Sequence, residues 1–245
     1  MPDNLSKNIL KVYRNYETFI NKQKSKKDLV ELFPLFIKRE QLIYYLTKYE
    51  LIKKILKTKG SIIECGVYKG SSLLLMAKLL SIFEPYGIHR KVIGFDTFTG
   101  FPKTSIKDKK GNKKNSRYKK NYLGNVNLKS IKKSIDLYNK NRPNGHISKV
   151  ELVQGDASKT IPKYVKSNPH LLISMLYLDF DLFEPTSVAL QHFVPRMSKG
   201  SIIAFDELNQ KRWQGETLAL LKSMNLNKFK LQQFPTEPNI SYITI

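Results

Sequence analysis

The chain holds 245 residues, with 43 Lys+Arg against 20 Asp+Glu, a formal net charge of +23, and 41% apolar residues. That length suits one ordinary domain with an appendage and a substantial core, and the apolar fraction is too high for a disordered polyelectrolyte. A single cysteine, Cys65, excludes an intramolecular disulfide or a zinc cluster, while the charge raises nucleic acid, an anionic membrane surface or an acidic substrate as partners.

The first residues, MPDNLSKNILKVYRNYETF, carry no apolar h-region and read as soluble. The richest apolar stretch, Leu73–Leu80, is too short to span a bilayer, so no membrane span and a reducing cytoplasm are expected. Residues 1–59 read as a helical N-terminal cap. From Asp28 to Leu56 the apolar positions fall at helical spacing, Pro34 divides the run in two, and the lysines form a solvated face. Such a segment is placed to cover an active site or to pair subunits in a homo-oligomer.

Residues 60–245 read as a second domain. Ser61–Cys65 is a short β-branched run that leads through Gly66 and Gly70 into a helical run from Ser71 to Phe83. Further short apolar runs follow at Lys91–Asp96, Val150–Val153, Leu172–Leu178 and Ser201–Phe205. Helical stretches lie between them near 128–139, 157–166, 185–194 and 215–224. Lys228–Gln232 and Ile240–Ile245 read as two more strands. Strands alternating with helices predict an α/β, Rossmann-like fold: a mostly parallel seven-stranded sheet with helices on both faces. Residues 103–121 break the pattern, with nine Lys/Arg against one Asp, and read as an exposed or mobile basic loop.

In an open parallel sheet, ligands bind at the carboxyl ends of the strands. Asp96, Asp156, Asp179 and Asp206 follow four of the five strands, and Glu64 stands at the end of the remaining one. One such acid is ordinarily a helix N-cap, because an unpaired buried carboxylate is costly. Five at corresponding ends read as a row of ligand and metal contacts. The first turn lacks G-x-G-x-x-G and the G-K-[ST] of a P-loop, which disfavours a pyrophosphate or a nucleoside triphosphate resting there. Glu64, Gly66, Gly70 and Asp96 still favour a nucleoside-type cofactor, which points to S-adenosylmethionine, with Asp156 beside an adenine.

The segments ECGVYKGSS, FDTFTGFP, LVQGDASKTIP, YLDFDLFEPTSVAL and GSIIAFDELNQKRWQGE together resemble the macrocin O-methyltransferase (TylF-like) family from about Ile62 to Glu216. The resemblance implies a class I S-adenosylmethionine-dependent enzyme that methylates sugar hydroxyls with the help of a divalent metal. It implies that Glu64, Gly66 and Ser72 hold the methionine portion and Asp96 the ribose, with Tyr68, Gly70, Ser71, Phe98, Asp156 and Asp179 completing the cofactor contacts. It further implies Asp179, Asp206 and Glu207 as metal ligands and Asp181 as the general base. Hard oxygen donors with no His or Cys nearby suit Mg²⁺ or Mn²⁺. Asp179 and Asp181, two apart, face the same side for as long as the chain stays extended. Glu207 stands where the family commonly has aspartate, and its extra methylene displaces a metal-ligating carboxylate by roughly one C–C bond; the basic insert 103–121 follows FDTFTGFP, so the acceptor does not transfer with the resemblance.

Bland readings suit the rest. None of His89, His146, His170 and His192 ends a strand, Cys65 reads as a small buried hydrophobe, and Trp213 as either a pocket wall or loop packing. The acceptor is expected to be a small molecule, a sugar, nucleotide sugar or glycoside, with anionic character suited to the basic surface. Two alternatives compete. One is a nucleic-acid methyltransferase using the basic surface, against which no RNA-binding module or N/D-P-P-Y/F motif is present. The other is a non-catalytic carbohydrate- or polyanion-binding protein on the same fold. The charge itself is localised: +8 lies in residues 103–121 and +8 in the first 59.

Overall fold

A computed structural model describes residues 7–109 and 119–245. The chain divides into two units, 1–46 and 47–245. In the first, helix α1 (Lys7–Asn21) is followed by α2 (Lys26–Glu31), whose N-terminus is capped by the Ser25 side chain. Pro34 sits in a 3₁₀ turn, Phe33–Leu35, so the break falls where proline removes a helix donor. Phe19 stacks on Phe36 with ring centroids 5.5 Å apart.

Helix α3 (Arg39–Ile55) begins in the first unit and ends in the second, whose first residue is Thr47. Its last two turns bury Thr47, Lys48, Leu51, Ile52 and Ile55, which makes them part of the sheet-bearing unit.

That unit carries seven strands in the order β3-β2-β1-β4-β5-β7-β6. They are β1 (Ser61–Cys65), β2 (Val92–Asp96), β3 (Val150–Gln154), β4 (Ile173–Leu178), β5 (Met197–Phe205), β6 (Gln232–Gln233) and β7 (Ser241–Thr244). The first five are parallel, and β7 runs antiparallel to β5 and β6. Strands β1 and β4 are buried along their whole length, as continuous Ile/Leu/Met runs between two helical layers must be. Helices α4 (Ser71–Phe83), α6 (Leu128–Lys140), α7 (Ala157–Ser167), α8 (Phe183–Phe193) and α9 (Gly215–Ser223) fill the connections. The strand expected over Lys228–Gln232 is mostly absent: a 3₁₀ turn, Leu226–Lys228, with an Asn225 side-chain cap takes its first residue, and only two residues pair with β7.

Register sets up the site. Cys65 aligns with Phe95 on one side and Leu178 on the other, and Leu178 aligns with Phe205. The next residues in each strand, Gly66, Asp96, Asp179 and Asp206, therefore stand in one row along the carboxyl edge. The order reverses between β1 and β4, which opens a crevice there.

The basic segment differs from the expected exposed loop where it is described; residues 110–118 lie outside the described residues. Ile106–Lys109 forms a helical turn, α5, and Asp108 is 1% exposed. Its carboxylate accepts from Ser105 N (2.6 Å) and Ser105 Oγ (2.7 Å), and its Oδ1 accepts from Phe183 N at 2.7 Å. Leu182, at the N-cap of α8, supplies no side-chain cap, so Asp108 does this from 75 residues away. Gln214 Nε2 clasps the same turn through Lys107 O and Asp108 O. Asp108→Ala therefore leaves the Phe183 N–H buried without an acceptor, and unfolding by urea should register a loss of about 1–3 kcal/mol. An unchanged midpoint would mean that the cap carries no stability. Among the described residues no helix is long and apolar enough to cross a membrane.

Candidate active site

A cavity of about 230 Å³ opens at the carboxyl edge, lined by Gly66, Tyr68, Asp96, Gly155, Asp156, Asp179, Asp181 and the apolar residues Phe101, Phe180 and Leu182, among others. Gly66 has φ +97°, and a Cβ there would come within 1.9 Å of the Asp179 carbonyl oxygen, so only glycine lets β1 turn this close to β4. Gly70, at φ +82°, leads into α4.

Asp96 holds the turn in place. Its Oδ2 accepts from Val67 N and Tyr68 N at 2.8 Å each, and its Oδ1 from Phe98 N at 2.6 Å. The acid expected at a ribose thus spends three acceptor positions on backbone and keeps little more than one free. Asp156 caps α7, accepting from Ser158 N at 3.0 Å, while also lining the cavity. Phe98 is buried and contributes its N–H to Asp96, and its side chain does not line the cavity. Gly70 and Ser71 face a neighbouring depression beside Asn127 and Ser130.

Glu64 and Ser72 lie beneath the turn. Glu64 is 0% exposed, and neither its carboxylate oxygens nor the Ser72 hydroxyl has a well-formed hydrogen bond among the described residues. Burial pushes the Glu64 carboxyl up to about 7, with Ser72 close enough to pull it back in part and the Lys48 charge helping. A buried carboxylate left in this state is one waiting for a donor.

A second group of acids sits on the β4–β5 side. Strand β4 ends at Leu178 and Asp181 takes φ +60°, so the extended backbone that would face Asp179 and Asp181 the same way is not there. Both nevertheless line the cavity, because the left-handed turn brings Asp181 back to it. Asp181 is 8% exposed; burial raises its proton affinity well above the carboxylate range, and Glu207 and Glu216 add to the rise. Burial does the same to Asp179, with Asp206 and Asp181 as the next causes. Asp206 accepts from the Tyr177 hydroxyl through Oδ1. Among the described residues no three His, Cys, Asp or Glu side chains are arranged to hold a metal ion, so Asp179, Asp206 and Glu207 do not form an assembled centre here.

Four residues of this region escape a reading of the sequence. Glu216, fully buried in the first turn of α9, spans Asp181 N and Glu207 N with its two oxygens at 3.4 Å each. Gly215 before it allows the approach, since a Cβ there would meet Asp181 O at 2.4 Å. Lys48, Tyr177 and Asp108 are the others. Only the acid at the start of a helix that follows a glycine offered a signal for Glu216. Trp213 proves to be loop packing: it is 7% exposed and meets the Phe101 ring edge-on at 6.1 Å, beside Leu182 and Tyr122. No histidine lines the cavity, and burial raises the Cys65 thiol well above its usual range.

This strand order, with a glycine turn after β1 and acids along the carboxyl edge of β1, β2 and β4, defines the class I methyltransferase fold. The macrocin O-methyltransferase (TylF) family model matches residues 47–226, and the chain belongs to that family of S-adenosylmethionine-dependent methyltransferases. A solved structure of CalS11, described as a calicheamicin methyltransferase, is 31% identical with a TM-score of 0.91, covering 98% of this chain and 94% of that one. An apo structure of CalS11, described as a TDP-rhamnose 3'-O-methyltransferase, is 30% identical with a TM-score of 0.83, covering 98% and 96%. The O-methyltransferase NovP, at 18% identity and a TM-score of 0.65, shares the fold. A curated relative from Streptomyces olivaceus, an 8-demethyl-8-(2,3-dimethoxy-alpha-L-rhamnosyl)-tetracenomycin-C 4'-O-methyltransferase, is 25% identical over 149 residues, 60% of this chain. The chain spans about half the length of that relative (52%).

Proposed function

We propose that the protein transfers the methyl group of S-adenosylmethionine to a hydroxyl of a sugar, nucleotide sugar or glycoside, in a reducing cytoplasm. The observation that carries this reading is that Asp181 lines the same cavity as Gly66, Asp96 and Asp156. A carboxylate beside the cofactor cleft, its proton affinity raised by burial, is suited to take the hydroxyl proton as the oxygen attacks the sulfonium methyl in line. The cofactor supplies the electrophile, and the chain positions the two reactants and keeps water away with Phe101, Phe180 and Leu182. The sugar acceptor rests on the relatives named above, two of which are described as acting on rhamnose or a rhamnosyl compound.

Metal assistance belongs to this reading. The donor chemistry fits a hard divalent cation: crowded carboxylates that raise one another's proton affinities are relieved by positive charge. Asp179, Asp206 and Glu207 would hold Mg²⁺ or Mn²⁺, which when bound acidifies a coordinated hydroxyl. Nucleic acid is disfavoured as the acceptor, because the described residues lining the cavity include four aspartates and neither lysine nor arginine. An anionic acceptor would keep its charged part outside the cleft.

Calorimetry with S-adenosylmethionine, followed by transfer of labelled methyl to a panel of deoxysugar nucleotides, rhamnosides and RNA, tests the proposal. Cofactor binding is expected, together with labelling of a sugar that EDTA abolishes and Mg²⁺ restores. Label on RNA alone, or no cofactor binding, would overturn it, and full activity in EDTA would remove the metal.

A further inference from the structure

Lys48 lies on α3, in the part that belongs to the sheet-bearing unit, and is 0% exposed. Its Nζ is 3.0 Å from the centroid of the Tyr177 ring. Tyr177, also fully buried, stands on β4 in register with Glu64 on β1 and Ala204 on β5. Its hydroxyl bonds Asp206 Oδ1, at the edge of the acid group. The arrangement runs cation, aromatic face, phenol, carboxylate.

Packing alone does not account for a lysine here. A buried ammonium loses hydration that a leucine or methionine in the same space would never have had to give up. What offsets it is local: the ring face, and the fields of Asp206, Glu64 and Asp179, which hold the ammonium up while burial brings it down to about 8. The cation also acts on the ring. It fixes the ring's position and polarises the phenol, which strengthens its hydrogen bond to the acid.

We propose that Lys48 and Tyr177 form a positioning relay for Asp206, in which the cation fixes the tyrosine and the tyrosine pins one carboxylate oxygen, leaving the other to the reaction. Neither residue lines the cavity. The relay rests on the reading above only in that Asp206 serves methyl transfer. The Lys48 charge also offsets acids, Asp206, Glu64 and Asp179, that would otherwise repel each other.

Tyr177→Phe, Lys48→Met and Lys48→Arg test it. Tyr177→Phe and Lys48→Met should lower kcat by about 10- to 100-fold, the range for partners that orient a site from behind, with cofactor KM within about twofold. Lys48→Arg should recover most of the loss, since it restores a cation over the ring. A crystal structure of Tyr177→Phe with bound cofactor should show the Asp206 carboxylate rotated from its wild-type position. An unmoved Asp206, or equal losses of kcat, cofactor affinity and melting temperature in every variant, would overturn the relay and leave a packing role. Should Lys48→Met fail to fold, Tyr177→Phe removes a single oxygen and still decides. Should the wild type methylate no acceptor, the proposed activity fails while the position of Asp206 still tests the relay.

Discussion

Asp181→Asn should cut methyl transfer by about 10²- to 10⁴-fold, the range for removing a general base, while S-adenosylmethionine binds within about twofold of wild type. The amide has the same shape, and the contact from Asp181 N to Glu216 Oε1 belongs to the backbone, so the loop keeps its anchor. What is lost is the ability to accept a proton in a site that burial, Glu207 and Glu216 have made strongly proton-attracting. Removing one acid from this crowd lessens repulsion, so the melting temperature should hold or rise. Loss of activity with a stable, cofactor-binding protein is the expected result in calorimetry and rate assays. Wild-type turnover in Asp181→Asn would move the base elsewhere, with Glu207 the nearest alternative.

The parts of the site legible in the sequence are those tied to regular structure. Short apolar runs ending in Glu64, Asp96, Asp179 and Asp206 announced a parallel sheet and its working edge, because strands buried on both faces leave charge only at their ends. The parts that were not legible depend on partners distant in sequence. Asp108 stands in a lysine-rich segment that reads as solvated, yet its carboxylate is consumed by the start of α8. Lys48 lies among lysines on a helix whose surface pattern looks like any wet face, and only its place over the Tyr177 ring in the folded chain reveals its burial. Strand alternation, which would face Asp181 the same way as Asp179, is not what brings Asp181 to the cavity. The strand stops at Leu178, and a left-handed turn, not strand alternation, returns the side chain to the cleft. Local pattern carries the elements; burial of a charge is a property of what closes over it.

Glu64 makes both stability and cofactor binding depend on pH. In the cofactor-free protein its carboxyl titrates at about 7, against 4.5 for an unhindered glutamate. The native state therefore holds more protons than the unfolded chain between those values, and stability falls as pH rises through that window, by about 3 kcal/mol for a gap of this size. Binding has the opposite sign. In the proposed reading the methionine ammonium of the cofactor meets Glu64 in its ionised form, so binding drives a proton off. Cofactor affinity should then rise about tenfold from pH 6 to pH 8 and level off above. Calorimetry near pH 6 in buffers of different ionisation enthalpy should report release of close to one proton. Glu64→Gln should flatten the affinity profile, lower affinity at pH 8 by about 10- to 100-fold through loss of a charged hydrogen bond, and make the cofactor-free protein more stable at that pH. An affinity that ignores pH in the wild type would place the cofactor's ammonium away from Glu64, and would leave the buried carboxyl and Ser72 without the donor their burial demands.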